Sequence, residues 1–345
     1  MGEKHCKLRT VAGESGGMVK ISLLFSNLVA LGLLAPLICG CGSDGFDYSP
    51  PTEAQLQEVQ NLWSERDLSA QGVVLAHRDD SHEAYQLRIY EHLVGGQKHY
   101  GAVTIPKTEL QSVFPVVLFA DGLDQQNPTM DVGTWTDGAQ PVLDRAVFVI
   151  PVFRGRTLIY GELAFAAEGD FCDAYDGATD DSIALLNVAQ AELPQADFAR
   201  LLVRGPSRGG NVALLLAERD DRVTVASAQS APTDFYRQEV ADSYGSQYRC
   251  QFLTGKTEEQ SRQRMLASSP LRFPMKPGVQ RVYIDHGEQD QVVPLWNAEE
   301  MVQALEAQQV DVQYFSYPGL GHTDLGSSPD FNARRGQIYD GFFAR

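Results

Sequence analysis

The sequence predicts an α/β fold: a mostly parallel sheet with helices on both faces, an antiparallel N-terminal edge and a helical insertion. Three observations carry this. Short, largely apolar runs recur at 114–120, 146–150, 201–203, 223–227, 279–284 and 312–317. Amphipathic stretches at 180–193, 211–218 and 298–308 separate several of them. Ahead of both, residues 85–93 alternate polar and apolar, Gly95-Gly96 follows, and 99–105 returns. Apolar runs of this length suit strands buried on both faces. Their alternation with helices implies parallel βαβ units. The alternating pair reads as a hairpin at one sheet edge.

In chain order, the first element is a leader. Lys20 precedes an uncharged apolar run over 21–35, and Ile38-Cys39-Gly40-Cys41 follows Pro36. A basic residue, an apolar stretch and a small-residue site are the parts of a secretion signal. The last four residues resemble the lipobox of bacterial lipoproteins, in which cleavage before a cysteine is followed by lipidation of its sulfur. Gly40 is the small residue that cleavage requires, so residues 1–40 are expected to be removed and Cys41 to carry lipid. Residues 1–17 are polar and fit no signal, which leaves Met1 and Met18 both open as the start of translation. The expected location is the cell envelope, with the membrane reached only through the lipid at Cys41.

Residues 41–69 read as a tether with a short helix near 54–65, because 42–55 is rich in Gly, Ser, Asp and Pro. The main domain then spans 70–345. Asp180 or Asp181 is placed to cap the helix over 180–193. Residues 232–277 break the rhythm, being polar and rich in Tyr, Gln, Ser and Arg. They are expected to form a helical lid over the carboxyl edge of the sheet, where a substrate pocket lies. No internal repeat is visible.

The 345 residues carry 45 Asp+Glu against 28 Lys+Arg, a net charge of −17. Such a balance repels phosphate backbones, so no nucleic-acid partner is expected. Of five cysteines, Cys6 and Cys39 fall in the leader and Cys41 is the lipidation candidate. Cys172 and Cys250 remain, and in an oxidising compartment they are expected to form a disulfide.

Chemistry concentrates at Gly205-Pro206-Ser207-Arg208-Gly209-Gly210. The apolar run 201–203 leads into it and an amphipathic stretch leads out. A G-x-S-x-G between strand and helix is a sharp turn that lifts its serine to the sheet edge. A serine needs a base to take its proton and a third group to orient that base. His322 lies in a Gly-rich loop after the last apolar run, where a base belongs. Asp290 lies just past the run ending at Ile284 and is the best-placed acid. Asp285, Glu288 and Asp324 compete with it. The order Ser, Asp, His is the one this type of fold uses.

From about Tyr85 onward the sequence resembles the α/β-hydrolase superfamily, and within it the prolyl-oligopeptidase and dienelactone-hydrolase-like branch. The resemblance rests on the turn around Ser207, on His286-Gly-Glu-Gln-Asp-Gln-Val-Val-Pro294, on Gly321-His322, on Phe153-Arg154-Gly155, Tyr160-Gly161, Asp180-Asp181 and Ser269-Pro270. It implies a serine hydrolase with Ser207, Asp290 and His322 as catalytic triad, no cofactor and no metal. The expected reaction is hydrolysis of a carboxylic ester or amide in a small molecule or peptide, through an acyl-enzyme on Ser207. The alternatives are a peptidase of the same branch and a non-catalytic binding lipoprotein.

Two departures stand out. Pro206 precedes the nucleophile and removes an amide hydrogen. Phe119-Ala-Asp-Gly-Leu123 replaces the family's usual His-Gly or Pro-Gly turn. By match, the oxyanion hole would be built from the amides of Arg208 and Leu123, and the charge of Asp121 opposes an oxyanion unless it points away. Trp135, Phe153, Tyr175, Phe235, Tyr236 and Trp296 are candidates to line the pocket.

Overall fold

Alternation between the two faces builds the first edge of the sheet. Strands β1 (Gln71–Asp79), β2 (Tyr85–Val94) and β3 (Gln97–Pro106) pair antiparallel. Gly95 and Gly96 turn between β2 and β3 with φ of 58° and 79°, a conformation open to glycine without a steric penalty. This computed structural model describes residues 46–108 and 113–344. The leader and Cys41 lie outside the described residues.

The apolar runs become β4 (Phe114–Phe119), β6 (Val147–Val152), β9 (Ala196–Pro206), β10 (Val223–Gln229), β11 (Arg281–Gly287) and β12 (Val312–Tyr317). The nine-stranded sheet has the order β1-β2-β3-β6-β4-β9-β10-β11-β12. From β6 to β12 every neighbouring pair is parallel. Helices α3 (Asp176–Glu192), α4 (Arg208–Arg219) and α8 (Trp296–Ala307) supply the apolar side chains packed on one face of the sheet. Helices α2 (Val132–Ala139) and α9 (Pro329–Phe343) cover the other. Three short strands, β5 (Thr129–Asp131), β7 (Thr157–Tyr160) and β8 (Leu163–Ala166), form a second sheet. The composition of β4 (Phe-Pro-Val-Val-Leu-Phe) accounts for its burial between both layers.

Between β10 and β11 the chain forms α5 (Gln238–Tyr244), α6 (Ser246–Tyr248) and α7 (Glu258–Ala267). Their apolar side chains gather with Leu123, Tyr175 and Trp296 in a separate cluster. A disulfide between Cys172 and Cys250 ties this insertion to the loop before α3, with Cα atoms 5.4 Å apart.

The expected tether is docked from Phe46 onward. Phe46 and Tyr48 pack their rings on Tyr236, and the Asp47 carbonyl accepts hydrogen bonds from Tyr236 and Arg262. Two aromatic residues in a Gly/Ser/Pro-rich stretch outweigh its flexibility. Thr52 then caps α1 (Glu53–Glu65) through a capping box with Gln55.

Asp180 and Asp181 do not cap a helix. Helix α3 begins a turn earlier, at Asp176, so both aspartates lie in its interior. They are held by arginines instead: Arg154 bonds Asp181 and Asp173, while Arg66 and Arg219 bridge Asp176 and Asp180. Buried carboxylates persist where guanidinium partners replace their water.

Candidate active site

The Gly205–Gly210 segment is a turn between β9 and α4. Ser207 sits at its apex with φ 52° and ψ −119°, a region that a residue with a Cβ rarely adopts. Its amide is fixed by the Gln229 carbonyl at 2.7 Å. The flanking glycines are needed because the β4 end passes close by. A Cβ on Gly205 would lie 2.2 Å from the Ala120 carbonyl oxygen, and one on Gly209 only 1.9 Å from it.

Three side chains distant in sequence meet here. His322 Nε2 lies 2.9 Å from Ser207 Oγ, and its Nδ1 lies 2.7 Å from Asp290 Oδ2. Both are hydrogen-bond distances, and the two ring nitrogens face different partners as a relay requires. Asp290 Oδ1 accepts the amides of Val292 and Val293 at 2.9 and 2.8 Å. Burial opposes ionisation of Asp290, but hydrogen bonds from His286, His322 and the Val293 amide outweigh it and hold the carboxyl well below the usual range. The competing acids have other partners. Asp285 receives Tyr317 and Arg334, Glu288 receives Ser316, and Asp324 receives the Gly321 amide.

The turn after β4 faces the N-terminus of α4. The Gly122 amide is taken by Asp121 Oδ1 at 2.8 Å. The Leu123 and Arg208 amides donate to no group among the described residues. Asp121 does not stand as an unpaired charge at this turn. Its Oδ2 lies 2.7 Å from Arg156 Nη1, and Arg156 is buried.

Arg156 is a residue that sequence reasoning missed, and its only signal was a basic residue in an apolar neighbourhood. The Arg208 side chain was missed as well. Fully buried, it donates to the carbonyls of Asp121 (3.2 Å) and Gly122 (2.6 Å), so it braces the β4 turn from α4. Its guanidinium rests 4.5 Å from the centre of the Phe153 ring. Burial, and then the charge of Arg156, push it down to about 9, which leaves it protonated at neutral pH. His286, which opens the segment that carries Asp290, is a partner of the acid. It lies 3.4 Å from Asp290 and 2.8 Å from the Val293 carbonyl.

Of the aromatic candidates, Tyr175, Phe235, Tyr236 and Trp296 belong to the insertion's cluster together with Leu123. Phe153 packs in the core beneath Arg208. Trp135 lies on the opposite face of the sheet, against Phe119 and Phe148.

Comparison with known proteins adds a family. No curated protein matches the chain in sequence. Among solved structures it is similar to acetyl xylan esterase 1 from Thermoanaerobacterium sp. JW/SL YS485, at 18% identity and a TM-score of 0.61, over 85% of this chain and 95% of that one. It is also similar to the acylaminoacyl peptidase of Pyrococcus horikoshii, at 15% identity and a TM-score of 0.57, over 77% of this chain and 42% of that one. A puromycin-hydrolyzing peptidase of Mycobacterium tuberculosis shares 22% identity and a TM-score of 0.51, over 66% of this chain and 34% of that one. At these identities the likeness is one of fold, that of the α/β-hydrolases. The model of the prolyl oligopeptidase family matches residues 147–345, more than half of the sequence. The chain therefore belongs to the prolyl oligopeptidase family and is a serine hydrolase acting on ester or amide bonds.

Proposed function

We propose that Ser207 is the nucleophile, His322 the general base and acid, Asp290 the orienting acid, and a carboxylic ester the substrate. The observation that carries this is the unbroken hydrogen-bond chain from Ser207 Oγ through the imidazole of His322 to Asp290. Ser207 Oγ bonds to the ester carbonyl carbon as its proton passes to His322 Nε2. The carbonyl oxygen becomes an oxyanion, for which the free amides of Leu123 and Arg208 are the donors, and the Arg156 charge offsets that of Asp121. Collapse expels the alcohol, which takes the proton from His322. Water then attacks the acyl-enzyme with His322 again as base, releasing the carboxylic acid and restoring Ser207.

The ester preference draws support from the near full-length match to an esterase, against 42% of the acylaminoacyl peptidase. A matched panel of p-nitrophenyl esters and aminoacyl p-nitroanilides tests it, with ester kcat/KM expected to be higher. Preference for the anilides would overturn the substrate assignment and leave the triad standing. Covalent labelling by a fluorophosphonate is expected in the unaltered enzyme and not in Ser207→Ala. Labelling that survives the substitution would overturn the nucleophile.

The same reading includes export and lipid attachment at Cys41, supported by the signal-like segment and the lipobox-like sequence. No helix among the described residues is long and apolar enough to cross a membrane. Metabolic labelling with a palmitate analogue is expected to mark the protein and to be lost in Cys41→Ser. An unlabelled protein would overturn the anchor.

A further inference from the structure

The face of the sheet covered by α2 and α9 holds a cavity of about 470 Å³ that the proposed mechanism does not use. Its floor is the β4 and β9 ends, with Phe119, Arg204 and Pro206, and its walls are Trp135 of α2 and Phe331 and Arg335 of α9. This volume suits a small organic molecule.

Its charge is out of keeping with the rest of the chain. Acidic residues outnumber basic ones 45 to 28, yet among the described residues no Asp or Glu lines this cavity while two arginines do. Neither forms an ion pair with a carboxylate among the described residues. Arg204 donates to the Tyr339 hydroxyl at 2.7 Å and lies against the Phe119 and Tyr339 rings. Arg335 lies 5.9 Å from the centre of the Phe331 ring. The carboxylate of Asp285 senses Arg204 but is already bonded by Arg334 and Tyr317. The two guanidiniums also feel each other: burial, and then the charge on Arg204, lower the pKa of Arg335. Two like charges half out of water, without a counter-ion, oppose folding. An anion between them removes that opposition. The guanidinium fork matches a carboxylate, and the surrounding rings match a flat apolar body.

We propose that the cavity between α2 and α9 is a binding site for an aromatic carboxylate, with its acid group on Arg204 and Arg335 and its ring among Phe119, Trp135 and Phe331. The site is separate from the nucleophile but touches its support. Pro206 directly precedes Ser207, and Gln229, whose carbonyl fixes the Ser207 amide, also borders the cavity.

Titration calorimetry of the full chain with 2-naphthoate and with neutral 2-naphthamide tests this. The acid is expected to bind at least about tenfold more tightly than the amide, and Arg335→Gln to weaken the acid about tenfold or more with little effect on the amide. Prior labelling of Ser207 with a fluorophosphonate is expected to leave the acid's affinity unchanged. No binding of the acid, equal binding of acid and amide, or unchanged affinity in Arg335→Gln would overturn the proposal. So would loss of binding on Ser207 labelling, which would place the ligand in the catalytic crevice. The acid–amide comparison uses the unaltered protein, so it decides the matter even if Arg335→Gln folds poorly.

Discussion

His92 and His99 face each other across β2 and β3, as a register pair with ring centres 6.1 Å apart. Each is 1% exposed, and none of their four ring nitrogens has a hydrogen-bond partner among the described residues. Burial first, and then the charge of His99, lower the His92 pKa from 6.5 to about 4, with Asp181 opposing them. His99 is lowered in the same direction, by burial against Asp181 and Glu168 and with Arg154 adding to it. The unfolded chain therefore binds a proton at residue 92 below about pH 6.5 that the folded chain refuses until about pH 4. Stability is fully present above the unfolded value and is lost as pH falls toward the folded one. At 1.36 kcal/mol per unit, this one side chain removes about 3 kcal/mol of stability between those limits. Replacing it with leucine abolishes the titration and fills the space with an apolar side chain. Urea denaturation of the unaltered protein and of His92→Leu, followed from pH 7.5 to pH 4, measures the difference. The substituted protein is expected to lose about 3 kcal/mol less over that range. Parallel stability–pH curves would show that His92 is protonated or solvated in the folded state, and the reasoning from burial would fail.

Other consequences follow from the same geometry. Asp290→Asn is expected to lower kcat about 10,000-fold with a much smaller change in KM, because the imidazole loses its orienting acceptor; pre-steady-state kinetics on a p-nitrophenyl ester measures it. Arg156→Gln leaves Asp121 unpaired at the β4 turn and is expected to lower kcat about 10- to 100-fold. The double substitution Arg156→Gln with Asp121→Asn is expected to regain most of that loss, and strict additivity in the cycle would refute the charge argument. The Cys172–Cys250 bond closes a separation of 78 residues, for which chain-entropy arguments give about 4.5 kcal/mol. Reduction, or Cys250→Ser, is expected to lower the denaturation midpoint of the intact protein accordingly, read by circular dichroism.

Much of this was legible in the sequence because local signals and long-range packing agree. The sheet was visible because strands buried on both faces are apolar throughout, as in β4 and β6. Glycines 205 and 209 marked the elbow because only a missing Cβ lets β9, α4 and the Ala120 carbonyl converge. The positions of His322 and Asp290 followed from strand ends, and the structure brings both to Ser207. What stayed hidden depends on partners far along the chain. Helix α9 carries Gly336, Gly341 and scattered polar residues, so its periodicity was too faint to read before its burial against β6 was known. Asp180 and Asp181 looked like caps because that is how aspartate acts next to a helix start. Their true partners, Arg66 and Arg154, lie far from them in sequence. The role of Arg156 was illegible for the same reason, since the Asp121 charge and the arginine that offsets it are 35 residues apart.

The backbone at Ser207 is held in a posture that glycine adopts freely and serine does not. The residue proposed as nucleophile is therefore also a standing debit against folding, of about 1–3 kcal/mol. Ser207→Gly is expected to give an inactive protein with a higher melting temperature than the unaltered one, read by circular dichroism. On this reading, selection for chemistry and selection for robustness pull this single residue in opposite directions, and a search for hardier variants judged on stability alone would favour its loss.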